Sequence, residues 1–316
     1  MPALRVALLR GWGRTAAGSI VVVFATLLGS LPRPTLPDDA APEAVLETVL
    51  EAQSAAGLEP LIDGGWAPPG LGPLAAWQVA RARTTSLVKA VIVGPYSSDT
   101  PAATVRATVM ALADAGCAWI EVHEPAAVSI GIDPIGRARF ADAQRALTTD
   151  LAGHPGLHLS LAVTGGSADA AGIETVLAGA YASLAVDLIE GPDNWRLVAA
   201  TPGDRGIVCG ALGTSDDSDD SPELLLYAAG YAASTAGRGP ARVGLATAGS
   251  LQALRWDVAV RKLERLGAAA RLADASADER RATLDPRSVD IRSAALGIGK
   301  PPGGARPARR GLGPEA

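Results

Sequence analysis

Residues 88–123, VKAVIVGPYSSDTPAATVRATVMALADAGCAWIEVH, hold the pattern that decides the fold. The run Val88–Gly94 is rich in β-branched residues and has the length of a strand, and Trp119–His123 repeats that signature. Between them Thr100 is placed to cap a helix with Pro101 in its first turn. Val105, Val109 and Leu112 share one helical face, and Gly116 is the stop. A strand, a helix and a second strand at this spacing make a parallel unit, because the helix carries the chain back to the starting end of the sheet.

The same alternation extends in both directions. Further strand candidates are Ile20–Leu28, Glu59–Asp63, Leu157–Val163, Val186–Glu190, Ile207–Gly210 and Val243–Thr247, which brings the set to eight. After Pro42, Val45/Val49 and Leu46/Leu50 mark a helix that Gly57 terminates. Eight such units in 316 residues predict an α/β protein, a single (β/α)8 TIM barrel rather than an open doubly wound sheet. The barrel is expected over residues 20–272. Residues 1–19 are read as an N-terminal extension, 273–299 as a C-terminal segment and 300–316 as a disordered basic tail, with Lys300, Arg306, Arg309 and Arg310 against Glu315.

Composition agrees with a large buried core. Hydrophobic residues make up 48% and charged residues 19%, and the net charge of −5 argues against a broad nucleic-acid surface. Cys117 and Cys209 are too few for a disulfide framework or a cysteine-rich zinc site. Arg5, Arg10 and Arg14 before the apolar run Ser19–Leu28 imitate a secretory signal, but the run is β-branched and ends in Gly29-Ser30-Leu31-Pro32-Arg33-Pro34. It reads as a buried first strand, so a cytoplasmic protein with no membrane and no nucleic-acid partner is expected. The cluster Asp216–Asp220 lacks the spacing of a calcium loop and reads as a solvated loop before a helix near Pro222. There is no dinucleotide-binding glycine loop, phosphate loop or metalloprotease helix motif, and no nucleotide cofactor is indicated.

In a barrel of this kind the C-terminal strand ends and the loops after them line the site. Those positions hold Ser30, Asp63, Tyr96, His123 with Glu124, Ser160, Glu190, Leu212 and Thr247–Ser250. The segment Thr247–Ser250 reads equally as an anion-binding turn or as an ordinary turn with Ser250 as helix cap. His123 and Glu124 are sequence neighbours and point to opposite faces of an extended strand unless a turn begins at Pro125. Trp66, between Gly65 and Pro68-Pro69, is the tryptophan placed to line a ligand mouth.

Several of these stretches resemble the catalytic domain of the cobalamin-independent methionine synthase family, in its short single-barrel form within the uroporphyrinogen decarboxylase-like superfamily. They are Gly29-Ser30-Leu-Pro-Arg-Pro34, Gln53-x-x-x-Gly57-Leu-x-x-x-Ile62-Asp63-Gly64, Val88-Lys89-x-x-x-x-Gly94-Pro95 and Ile120-x-x-x-Glu124-Pro125-Ala126. Leu157-His158, Val186-x-x-Ile189-Glu190 and the strand ending near Ala248-Gly249 keep the family order. The resemblance implies methyl transfer to a small thiol such as homocysteine, held as thiolate on zinc, with methylfolate or a corrinoid protein as donor.

Carried over residue by residue, the zinc ligands fall on His158 and Glu190, while the two cysteine ligands fall on Ser160 and Ala248. Two acids that would hold the substrate's ammonium group fall on Gly65 and His123, whereas Ser30, near its carboxylate, remains. The site expected is therefore a diverged one: His123, Glu124 and Glu190 catalytic; Ser30, Asp63, Ser160 and Ser250 binding a small thiol or amino acid; His158 and Glu190 as relict metal ligands. His158 also reads as a histidine hydrogen-bonded inside the barrel. The alternative for the whole chain is a catalytically inactive barrel that binds a small ligand or a protein partner.

Overall fold

The computed structural model describes residues 23–284 except 152, 153 and 155. The N-terminal extension, the residues Ile20–Val22 of the expected first strand and the basic tail lie outside the described residues. Seven strands form one curled sheet in the order β1-β7-β6-β5-β4-β3-β2, and every pair is parallel. They are β1 (Val23–Thr26), β2 (Ala90–Val93), β3 (Trp119–His123), β4 (His158–Val163), β5 (Ser183–Asp187), β6 (Gly206–Leu212) and β7 (Val243–Thr247). The outer layer includes α1 (Pro42–Ala56), α2 (Pro73–Arg81), α3 (Ala102–Asp114), α4 (Pro134–Thr148), α5 (Trp195–Ala200), α6 (Pro222–Ser234), α7 (Trp256–Ala273) and α8 (Ala277–Thr283). Among the described residues no helix is long and apolar enough to cross a membrane.

The eighth strand, expected at Glu59–Asp63, is not formed. A single bridge, Leu61 to Val88, takes its place. The segment nevertheless touches both edges of the sheet. Glu59 N–H donates to Ala25 C=O of β1 at 2.9 Å, Leu61 N–H to Leu87 C=O at 2.8 Å, and Lys89 N–H to Leu61 C=O at 2.9 Å. Pro60 has no N–H to give, and a run this short with a proline inside cannot sustain a ladder.

The fifth strand of the sheet also differs from expectation: it spans Ser183–Asp187 instead of Val186–Glu190. The cause is local. Asp187 Oδ1 accepts the N–H groups of Ile189 and Glu190, both at 2.9 Å, which turns the chain out of the sheet before Glu190. In α3 the helix begins at Ala102 with Pro101 as the flanking residue and no side-chain cap, so Thr100 does not cap it. Its predicted face of Val105, Val109 and Leu112 is buried.

Two apolar layers result. The larger lies between sheet and helices, where α1 buries Val45, Leu46, Val49 and Leu50. The smaller lies inside the curl and is made of Leu28, Ala162, Ala185, Val208 and Ala246, with Phe24 against them. Small residues are required there because inward side chains from facing strands compete for a narrow space. Gly244 shows how narrow: a Cβ at that position would stand 2.3 Å from Phe24 Cζ.

Candidate functional site

Alternation along β3 puts Trp119, Glu121 and His123 on one face, and their contacts identify it as the inner one. Phe24 packs edge-on to Trp119 with ring centroids 5.4 Å apart, and Trp119 lies 4.1 Å from the ring of His158. Above this aromatic floor, Lys89 Nζ donates to Glu121 Oε2 at 2.7 Å, and His123 Nε2 stands 2.7 Å from Glu121 Oε1. The Lys89 and Glu121 side chains are completely buried, whereas His123 keeps 14% of its side chain exposed. Val93, the register partner of His123, is 55% exposed, so the mouth is open beside the imidazole.

The charges of this array are set by one another. Burial alone would raise the Glu121 pKa, but the Lys89 ammonium and the His123 hydrogen bond outweigh it and hold the group down at about 2. Burial pulls the Lys89 ammonium below its ordinary value, and Glu121 offsets part of that. An unpaired ion at either position would be costly, so each requires the other.

His158 and Ser160 sit lower than expected. His158 opens β4 and is therefore at its N-terminal end, away from the mouth, with Nε2 2.8 Å from Ser183 Oγ. Burial drives its pKa down to about 3, which keeps the imidazole neutral. Ser160, mid-strand and fully buried, accepts the Trp119 indole N–H at 3.0 Å. Both belong to the floor of the interior.

Glu124 is fully buried on the other side of the strand end. Its carboxylate accepts Tyr96 N–H at 3.0 Å, Ser97 N–H at 2.7 Å and Gln144 Nε2 at 2.7 Å, and Tyr181 OH donates to Gln144 Oε1. It anchors the loop after β2 and is not adjacent to His123 as an acid–base partner. Glu190 is exposed in the loop after β5, and the carboxylate that ends the strand is Asp187, which also accepts Gly165 N–H at 3.1 Å. Buried Asn194 donates to Asp187 C=O and Gly166 C=O and accepts Ala168 N–H, so the loops after β4 and β5 are tied together.

On the opposite rim the loops after β1 and β7 meet. Ser250 Oγ accepts Ser30 N–H at 3.3 Å, donates to Ser30 C=O at 3.2 Å and accepts Gln252 N–H at 3.2 Å. Ser250 is thus a loop clasp and not the cap of α7, whose flanking residue is Arg255. Gly65 is pressed against Ser30: a Cβ on it would lie 2.8 Å from Ser30 Oγ, and its φ of +83° favours glycine in any case. Asp63 accepts Gly65 N–H at 3.0 Å, and burial raises its pKa against that hydrogen bond. Trp66 is half-buried, donates to Leu31 C=O at 2.9 Å and carries the Arg33 guanidinium 6.0 Å above its ring.

The residues carried over for zinc do not fit it. His158 lies at the start of β4, Glu190 is exposed beyond β5, and Ser160 and Ala248 offer no thiolate. Among the described residues no three His, Cys, Asp or Glu side chains converge on a point that could hold a metal ion. The cysteines do not substitute, since burial pushes Cys117 up to about 11 and Cys209 up to about 12.

Lys89 and Glu121 carry the array and were not among the candidate residues. A charged residue two positions before His123 on the same strand is the signal that identifies Glu121. Lys89 has no such signal, because its partner is 32 residues away.

Neither a protein-family profile nor a curated protein sequence matches this chain. Solved structures do. A B12-independent methionine synthase from Shewanella sp. W3-18-1, in complex with selenomethionine, superposes with a TM-score of 0.63 at 14% identity, covering 83% of this chain and 100% of that one. A putative vitamin-B12-independent methionine synthase from Listeria monocytogenes gives 0.60 at 13% identity, covering 78% and 96%. The likeness shows the fold alone: an α/β chain whose described residues form a curled parallel sheet of seven strands.

Proposed function

We propose that this chain is an enzyme that methylates a small thiol without thiolate-bound zinc, with His123 taking the thiol proton. The observation that carries the reading is the array at the mouth: a partly exposed imidazole 2.7 Å from a carboxylate that a buried lysine keeps ionised. A free thiol has a pKa of about 8.5, so methyl transfer near neutral pH needs a metal or a base to supply the thiolate. With the zinc set dispersed, His123 is the group placed for that work. The proton passes from sulfur to His123, a sulfur electron pair forms the S–CH3 bond, and the donor, a methylfolate or a methylated corrinoid protein, leaves with the electrons of its bond to methyl. Ser30 and Ser250 on the opposite rim, together with Asp63 after the segment that bridges β1 and β2, are assigned to holding the polar end of the acceptor.

One observation favours a second reading, a barrel that binds a small ligand without turning it over. Both thiolate positions are filled by buried Ser160 and Ala248, and Glu190 points away into solvent. Incubating the protein with a panel of small thiols, including homocysteine, and each methyl donor, with mass-spectrometric detection of the methylated thiol, separates the two. Product that falls by about 10²–10⁴-fold in His123→Gln supports the enzyme. Thiol binding by calorimetry with no product in the wild type establishes the binding barrel instead.

A further inference from the structure

We infer that the working nitrogen of His123 is Nδ1 and that Lys89 is the positioning residue that makes it so, by cancelling the charge of Glu121. The inference rests on the reading of His123 as the acid–base group and adds which atom acts and what controls it. Glu121 Oε2 is occupied by Lys89 Nζ and Oε1 by His123 Nε2, each at 2.7 Å. An ionised carboxylate only accepts, so the proton of the second contact belongs to His123 Nε2. That leaves Nδ1 with a lone pair when the ring is neutral, and among the described residues no protein group bonds to it. Val93, the register partner of His123 on the neighbouring strand, is exposed.

Lys89 matters because a buried carboxylate without a cation beside it holds a neighbouring imidazole in its protonated form. An imidazolium has no lone pair and cannot take a proton. With Lys89 the carboxylate's charge is already compensated, and a neutral imidazole can remain hydrogen-bonded to an ionised Glu121. The other ionisable groups around this interior do not take over that role. His158 is held neutral by burial beneath the array, Glu124 is turned outward onto Tyr96, Ser97 and Gln144, and Asp63 and Asp187 are bonded to loop N–H groups.

Long-range ¹H–¹⁵N correlation spectra of uniformly ¹⁵N-labelled protein read the protonation of each ring nitrogen directly. The chain has three histidines, and His123→Gln identifies the signal of interest. In the wild type the neutral His123 ring is expected to carry its proton on Nε2. In Lys89→Met its titration midpoint is expected to rise by about one pH unit or more, and Lys89→Arg is expected to restore it. A neutral ring protonated on Nδ1 overturns the inference, and so does a titration in Lys89→Met that matches the wild type. Should Lys89→Met fail to fold, the wild-type tautomer still decides the first half, and the double variant Lys89→Met/Glu121→Gln, which buries no charge, decides the second. Its midpoint is expected within about half a unit of the wild type, and a larger shift overturns the role of Lys89. No substrate is needed, so absence of methyl transfer would remove the proposed reaction while leaving this result to stand or fall alone.

Discussion

Two lysines among the described residues are buried against carboxylates, and they differ in what lies beyond the carboxylate. Lys262 of α7 pairs with Asp220 Oδ2, where the exposed Arg265 also stands at 3.8 Å, and Asp220 Oδ1 accepts Gly213 N–H at 2.9 Å and Ser218 Oγ at 3.0 Å. Lys262 also donates to Ser218 Oγ at 2.7 Å, so the pair closes on anchoring groups: a backbone N–H, a serine and a second cation. Lys89 pairs with Glu121, and the free oxygen of Glu121 goes to a histidine that reaches the mouth. The first pair pins a loop expected to be solvated to α7. The second transmits its charge to an exposed ring. A buried ion pair is weak evidence for stability or for function by itself, and the group at its open end tells the two apart.

The comparison is broken most sharply at that open end. His123→Gln removes the reacting group and is expected to cut thiol methylation by about 10²–10⁴-fold, while the urea midpoint stays near the wild-type value. A parallel loss of stability would place His123 among the structural residues. At the closed pair the pattern reverses: Lys262→Met strands Asp220 and is expected to cost about 3–5 kcal/mol in urea denaturation, with turnover per folded molecule retained. Turnover lost with Lys262 would mean that both pairs serve the site.

Smaller effects sharpen the picture of the interior that holds the open array. Gly244→Ala forces a methyl against the Phe24 ring and is expected to cost about 1–3 kcal/mol, read from the denaturation midpoint. His158 gives a pH dependence. Burial lowers its pKa to about 3 in the fold, whereas an unfolded histidine titrates near 6.5. The unfolded chain therefore binds the extra proton first, so stability from this site is complete above about pH 6.5 and is lost as pH falls toward 3. Replacing it by Asn, which can still bond Ser183, is expected to reduce the stability difference between pH 7 and pH 5 by about 2 kcal/mol. An unchanged difference would place that titration elsewhere. Least affected is Glu190→Gln, with an expected stability change under about 0.5 kcal/mol, because the side chain is exposed in a loop.

The alternation of strands and helices was legible from residue 88 onward because each strand candidate carries its own β-branched run and each helix its own apolar face. Trp119–His123 and Val243–Thr247 stand where the sequence puts them. Two elements were not legible. The Glu59–Asp63 run has strand composition, yet Pro60 withholds the N–H that a ladder needs. The strand at 186–190 was misplaced because hydrophobicity continues through Leu188 and Ile189, whereas Asp187 folds back onto the N–H groups that follow it.

His123 was visible as a polar residue at a strand end, and Ser30 and Asp63 likewise came to the rim. The partners were not visible. Sequence by itself determined the parallel α/β alternation, since that depends on composition and on a period of two or of 3.6 residues; that Ser160 and Ala248 stand where thiolates would is what the family resemblance implies. Tertiary structure alone decided that Lys89 meets Glu121, that Glu124 faces away from His123, and that Lys262 rather than water answers Asp220. Each is a contact between residues more than 18 positions apart or a choice of face at a strand end, and only the register and curl of the sheet set those.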